Sequence, residues 1–274
     1  MLKNLLDFAT FFQLKKFGLL TLISLFFEAD PLAFLLPATR GMFSIGAMRM
    51  PLTRYGWPQV VFYPAALMVF MVVLWFGAHP TTPVWMIQYV EIALVAVLIW
   101  ALSFFRDPER EVPQDKNILL APADGTVTDI ETVDETEFIK GRALRIGIFL
   151  SIFDVHINRS PCRARVDKIV YHQGRFLDAR NPESGRLNES NDLWLTKTET
   201  PSDKLIVRQI SGAIAQRIVC RTSEGAELVS GQRFGMIKFG SRTELYVSVR
   251  DNVECVVKKG DKVKAGMTPM VRYI

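Results

Sequence analysis

The strand-like run MIKFGSRTELYV (236–247) is interrupted by Gly240 and Ser241. A glycine inside a strand marks a bulge, a sharp bend or a close approach by another backbone, and on that reading Ser241 is a small neighbour in a turn. A serine hydroxyl becomes a nucleophile only beside a base. The chain has three histidines. His79 falls in the short loop HPTTP between two apolar runs, which leaves His156 in DVHINR and His172 in YHQGR as candidate bases. Either can equally be a satisfied structural histidine. Asp124, in PADG, opens an Asp-Gly pair, a common turn signal. The three cysteines, Cys162, Cys220 and Cys255, lack metal-ligand spacing, and their odd number cannot form a fully paired framework. They read as core residues of a reduced compartment.

The elements that must position these groups are strands. NILLAPA, GTVTDIETV, ALRIGIFLSI, ARVDKIVYH, KLIVRQI, IAQRIVC, MIKFGSRTELYVSV and VECVVKK are short β-branched or aromatic runs between Gly, Pro, Asn and Asp. They predict a mainly β sandwich or barrel over 106–274. The polar stretch from Phe176 to Lys204 reads as one long loop, mobile or part of a site. APADGTVTDI and KKGDKVKAGMTPMVRYI both set glycine and small residues around a turn before an apolar strand. In this they are similar to the hammerhead halves of lipoyl and biotinyl carrier domains. Those carriers need a lysine at a hairpin tip, and the position that corresponds to the tip here carries Gly240 and Ser241.

Of the 274 residues, 49% are hydrophobic, and the excess lies in the first 105. Val60–Ala78 contains no charge and Val84–Phe105 contains only Glu91. Each is long enough to cross a hydrocarbon layer about 30 Å thick. The short connection predicts a helical hairpin over 58–105. Arg40, Arg49 and Arg54 precede it and Arg106, Arg110 and Lys116 follow it, which puts both outer ends on the cytoplasmic side of the inner membrane. Glu91 reads as a snorkelling acid near its helix entrance. FGLLTLISLFF (17–27) is too short to span and, with Lys15 and Lys16, suits an interfacial helix within an N-terminal region 1–57. A cleaved signal peptide is the competing reading of that region. The formal charge of +5 is compatible with nucleic acid, anionic lipid or acidic substrates. With no nucleic-acid motif present and membrane segments adjacent, anionic lipid is the expected partner and nucleic acid is not.

FFRDPER (104–110), PADG (122–125), FLSIFDVHINRSP (149–161), YHQGRFLDA (171–179), NESN (188–191) and FGS (239–241) occur in this order. Each motif alone is weak. Together, in register over nearly all of 104–274, they resemble the short bacterial phosphatidylserine decarboxylases, whose membrane hairpin before RDPER is also similar. The resemblance implies a hammerhead or barrel-sandwich-like β catalytic domain behind an α-helical membrane region. It implies a proenzyme that cuts itself between Gly240 and Ser241. Ser241 then becomes a pyruvoyl group, the cofactor, with no metal and no pyridoxal phosphate. The pieces, 1–240 and 241–274, would stay associated. Such a group would hold the amine of phosphatidylserine and accept the electrons released with carbon dioxide, giving phosphatidylethanolamine.

By the same resemblance Asp124 would orient a histidine that deprotonates Ser241. The longer members carry D-x-H-x-x-H. Here only the first histidine, His156, is kept, and Arg159 stands at the second position. His156 could serve both steps, or His172 could reach in from a neighbouring strand. Arg159 could contact phosphate or carboxylate, or be a solvated charge. Arg106 and Arg110 are expected among anionic headgroups. Two other functions stay open. One is a decarboxylase of a related aminolipid of archaetidylserine type. The other is a non-catalytic membrane-anchored carrier or binding module, and a homo-oligomer is possible for any of the three.

Overall fold

A computed structural model of the chain describes residues 52–78, 81–181, 183–213, 217–238 and 240–274. The expected interfacial segment at 17–27 lies outside the described residues. Two helices open the described part, α1 (Trp57–Ala78) and α2 (Val84–Phe104). Their apolar stretches of 20 and 21 residues are long enough to cross a bilayer, since a rise of about 1.5 Å per residue gives roughly 30 Å. Phe62, Met68, Phe70 and Phe76 on α1, and Tyr89, Ile92 and Ile99 on α2, are exposed. Helices apolar on all sides and left uncovered by protein suit a lipid environment.

The remainder is mainly β, as its runs of β-branched residues predict. An eight-stranded antiparallel sheet contains, in spatial order, β13 (Lys262–Val263), β2 (Gly125–Glu135), β3 (Gly141–Leu150), β11 (Ser241–Ser248), β7 (Lys204–Ile210), β6 (Ser190–Lys197), β5 (Ala164–His172) and β9 (Glu227–Leu228). One small sheet joins β1 (Ile118–Leu120), β14 (Pro269–Tyr273) and β12 (Val253–Cys255). The other joins β4 (Ile157–Arg159), β10 (Arg233–Ile237) and β8 (Ile218–Cys220). Val127 of β2 and Leu228 of β9 belong to one contiguous core with Ile146, Leu193, Val207 and Leu245. The large sheet must therefore curl into a half-barrel whose interior the small sheets close.

The central strand, β11, shows how sequence becomes site. Leu245 and Val247 face the half-barrel core, so by the two-residue period of a strand Ser241 and Thr243 face the same interior. Arg242, Glu244 and Tyr246 face the other side, where Tyr246 packs with Phe138, Ala143 and Ile206. All eight residues of β11 are buried.

Two expectations need correction. The stretch from Phe176 to Lys204 is not one loop, because Ser190–Lys197 forms β6. Its polar residues are satisfied across the sheet: Asn191 donates to Gln209 Oε1 at 3.1 Å, and Asp192 accepts two bonds from Arg208 at 2.6 Å. Leu193 and Leu195 fill the core between them. The loop proper runs from 173 to 189 and contains the single turn α3 (Ser184–Leu187). Second, Gly240 and Ser241 are not at a hairpin tip. β10 and β11 belong to different sheets, so the chain crosses from one to the other at this point.

Leu245 is fully buried, and a Leu→Ala truncation at such a site costs about 2–5 kcal/mol. Leu245→Ala is expected to lower the denaturant midpoint of the detergent-solubilised protein accordingly, read by tryptophan fluorescence.

Candidate active site

At the crossing between β10 and β11, Gly240 adopts φ +60°, a left-handed conformation that glycine takes without penalty. The backbone there is crowded on one side. A Cβ on Gly212 would lie 1.8 Å from the Gly240 carbonyl oxygen, so the two chains can approach this closely only because residue 212 is glycine. Where a Gly240 Cβ would stand there is more room: among the described residues beyond its chain neighbours, only Ile152 Cγ2 comes within 4 Å. Ser241 follows, fully buried and paired with Leu150 of β3.

His156 precedes β4 and is fully buried. Its Nδ1 is 2.9 Å from the Asp154 carbonyl oxygen. A carbonyl only accepts, so the proton sits on Nδ1 and Nε2 presents a lone pair. The Phe104 ring, at the last residue of α2, covers the imidazole with centroids 4.2 Å apart. Burial pushes the His156 pKa down to about 3. The Asp154 carbonyl opposes that shift, and the positive charge of Arg106 adds to it. The ring is therefore neutral across the physiological range.

Among the described residues of the β region, three buried side-chain polar atoms have no hydrogen-bond partner: Arg145 Nε, His156 Nε2 and Ser241 Oγ. The Arg145 guanidinium is otherwise engaged with Glu131 and Asp129. The other two are a base and a hydroxyl at the same end of the interior. Two residues further along each segment, Asn158 donates to Thr243 Oγ1 at 3.1 Å. Asn158 continues a buried amide chain, accepting from Gln209 at 2.8 Å, and Gln209 in turn accepts from Asn191. Leaving buried polar atoms unpaired costs free energy, and such exceptions call for a functional explanation.

The remaining expected residues are placed elsewhere. Asp124 does not meet a histidine. Both its oxygens accept from Arg110 at 2.6 and 2.7 Å, and Oδ1 also accepts from the Ala265 amide at 2.8 Å. Arg110 is accordingly not among headgroups, since its side chain is only 5% exposed. Arg159 is buried and donates to Asp107, the Pro108 carbonyl and the Gly231 carbonyl. Asp107 is shared with Arg233. The segment 106–110 is thus a strap, holding the end of α2 to the β region through Arg159, Arg233 and Asp124. Arg106 alone stays at the helix end, where its guanidinium donates to the Phe153 carbonyl. His172 lies on β5, separated from β11 by β6 and β7. Its Nε2 is 3.2 Å from Asp192, whose partner Arg208 stacks on Tyr246, on the face away from the core. It is not brought to Ser241. Gly212, Asn158 and Phe104 were not read as site residues from the sequence. Phe104 and Asn158 lie within the motifs FFRDPER and FLSIFDVHINRSP, while the signal for Gly212 was the dipeptide Ser211-Gly212 after a strand.

Comparison with known proteins bears on this geometry. A family model for phosphatidylserine decarboxylase matches residues 97–270. The chain is 39% identical over 226 residues to a phosphatidylserine decarboxylase proenzyme of Symbiobacterium thermophilum, covering 82% of this chain and 97% of that one. It is 42% identical over 176 residues to the proenzyme of Carboxydothermus hydrogenoformans, covering 64% and 81%. A proenzyme of Nitrosomonas europaea is 36% identical over 223 residues, covering 81% and 95%.

The strap predicts a measurable coupling. Breaking a buried ion pair by removing one partner costs about 3–5 kcal/mol. Asp124→Asn and Arg110→Met are each expected to destabilise the protein by that order, and the double substitution by less than the sum, in denaturant unfolding of the solubilised chain.

Proposed function

The chain belongs to the phosphatidylserine decarboxylase family, and from that premise we propose that it severs its own Gly240–Ser241 bond. The matured carboxy-lyase then converts phosphatidylserine to phosphatidylethanolamine and carbon dioxide. The observation that carries the reading is two buried, unpartnered atoms, Ser241 Oγ next to a left-handed glycine and His156 Nε2. They are not bonded to each other but lie on segments joined two residues on by the Asn158–Thr243 hydrogen bond. The hydroxyl and the lone pair are both uncommitted, so proton transfer between them breaks no existing hydrogen bond.

Ser241 Oγ attacks the Gly240 carbonyl carbon as its proton passes to His156. The amide C–N bond breaks, the Ser241 nitrogen takes up the proton, and an ester links Gly240 to Oγ. Loss of the Ser241 α-proton expels Gly240 as a carboxylate. Water then displaces the nitrogen of the resulting dehydroalanine as ammonia and leaves a pyruvoyl terminus at residue 241. Once formed, that group supplies the electron sink for decarboxylation. The local residues fit it: the position is fully buried, its carbonyl neighbour is seated against Gly212, and a neutral histidine stands in the same interior. The Asp154 carbonyl does for His156 what the resemblance assigned to Asp124, fixing the tautomer that leaves Nε2 free. Asp124 and Arg159 enter the proposal as struts of the strap, and His172 does not enter it.

The products are chains of residues 1–240 and 241–274. The short one stays bound, because β11 lies between β3 and β7 and β14 lies between β1 and β12. The arginines and lysines flanking the hairpin support a cytoplasmic face of the inner membrane.

Intact-mass analysis of the purified protein is expected to give two pieces split before residue 241, the small one blocked to Edman degradation, while Ser241→Ala stays whole. A single unbroken wild-type chain overturns the proposal.

The pH dependence gives a second test. A base acts only when deprotonated, and a His156 pKa of about 3 leaves it deprotonated above pH 5. The self-cleavage rate of freshly synthesised proenzyme is therefore expected to be flat from pH 5 to 8, whereas with a histidine of ordinary pKa it would rise about thirtyfold over that interval. His156→Gln is expected to slow cleavage by about 10²–10⁴-fold.

A further inference from the structure

We propose that the turn Ser151–Asp154 is a lipid-contacting lip of the site, with Phe153 inserted in the phospholipid leaflet where α2 ends. The inference rests on reading α1 and α2 as bilayer spans. Phe153 is 66% exposed, an aromatic ring with no apolar cover. Its position relative to the span is fixed through its backbone: Arg106, two residues after the end of α2, donates to the Phe153 carbonyl. The Phe153 backbone is thus within one arginine side chain of the span terminus, at the depth where aromatic residues and arginines concentrate at membrane interfaces.

The backbone of the turn suits that depth. Entering a region of low polarity is costly for any backbone donor or acceptor left bare. Here the Ser151 amide donates to Asp154 Oδ2 at 2.8 Å and the Asp154 amide to the Ser151 carbonyl at 2.8 Å. The Phe153 amide donates to Ser151 Oγ at 3.4 Å, and its carbonyl accepts from Arg106. These backbone groups of Ser151, Phe153 and Asp154 are thus paired within the protein, while the Phe153 ring stays exposed.

The same turn reaches the chemistry from its other side. Ile152 Cγ2 is the nearest atom to the open side of Gly240, and the Asp154 carbonyl holds His156 Nδ1. Ser241 and His156 are fully buried, so a headgroup must pass a covering segment to reach them. The 151–154 turn is such a segment, and it stands at the membrane. A phospholipid can then present its headgroup from the leaflet without leaving it.

The test is site-directed spin labelling of the full chain in nanodiscs of phosphatidylethanolamine and phosphatidylglycerol. Cys220→Ser and Cys255→Ser remove the two partly exposed thiols. Cys162 remains, buried and with its pKa pushed up to about 12, so it resists labelling. Labels are placed by Phe153→Cys, by Val95→Cys within α2 and by Lys259→Cys on an exposed turn of the β region. Collision with oxygen is compared with collision with a water-soluble nickel chelate. The Phe153→Cys label is expected to favour oxygen, as Val95→Cys does, while Lys259→Cys favours the chelate. A label at 153 that favours the chelate, with Val95→Cys in lipid, overturns the lip. A label at Val95→Cys that favours the chelate overturns the spans, and the lip with them. In addition, Phe153→Ser is expected to yield the same two fragments as wild type while losing activity on bilayer phosphatidylserine. Its activity on a soluble short-chain phosphatidylserine should be retained, and equal losses on both count against the lip.

Discussion

The register of β11 is the constraint on which the rest depends. A slip of one residue in a strand turns every side chain to the opposite face. In β11 that slip would bury Arg242 and Glu244 in the apolar core and turn Leu245 and Ser241 away from it. Both faces resist it. Inside, Leu245 and Val247 pack with Ile146, Ile148 and Val207. Outside, Arg242 donates to Asp129 at 2.7 Å and to Glu244 at 2.8 Å, and Tyr246 donates to Glu244 at 2.6 Å. Such buried pairs add little net stability and are costly to break, so their effect is to exclude the wrong register. Ser241 is held in the interior by residues that do no chemistry themselves.

The same placement explains how a chain could lose a peptide bond and keep its fold. Ser241 is the first residue of its strand, so a break before it interrupts no ladder. Ser241–Ser248 pairs with Leu150–Ala143 on one side, and Arg242–Val247 pairs with Ile210–Leu205 on the other. The residues beyond β11 return to β1 and β2 through β14 and β13. The sheet crossing lies outside both ladders, and Gly240 there takes a left-handed conformation. A bond at that point can be cut without removing a strand from either sheet.

The sequence made part of this legible. The two apolar helices, most strands and the interruption at Gly240 are local patterns, and local patterns read well. β6 was missed because Asn191, Asp192 and Lys197 look like loop residues until their partners are known: Gln209 and Arg208 on the adjacent strand, and the Glu199 and Pro201 carbonyls that take the lysine. Where His172 stands relative to Ser241 was illegible for a related reason. A register shift between Val166 and Lys168 breaks the alternation of β5, so the face His172 takes cannot be counted from its core residues. Asp124 shows the limit of motif reasoning. Its partner, Arg110, lies in a motif of its own, and only the folded strap brings the two together. The unpaired lone pair on His156 depends on Asp154, Phe104 and burial at once, and no spacing encodes that.

The end of α2 links the membrane to the chemistry. Phe104, the last residue of the helix, lies on His156, and Phe105 packs where a side chain on Gly56 would stand. The Thr53 amide donates to the Phe105 carbonyl at 2.8 Å, closing a collar below the site. The histidine therefore lies within a ring's thickness of the terminus of a membrane-length helix. The polar layer on each side of a bilayer core is about 5–8 Å deep, so with α2 taken as a span, as proposed, His156 stands at the depth of phospholipid headgroups. Under the proposed function, the reacting amine and carboxylate of a lipid held in that leaflet would already be at the height of His156, and only the segment covering the site would have to move. A tether attached at a distance by a flexible linker could not fix that height. Here the strap of ion pairs from Asp107 and Arg110 to Arg159, Arg233 and Asp124 makes the attachment short and rigid, and Phe104 at the end of the same helix covers the His156 ring.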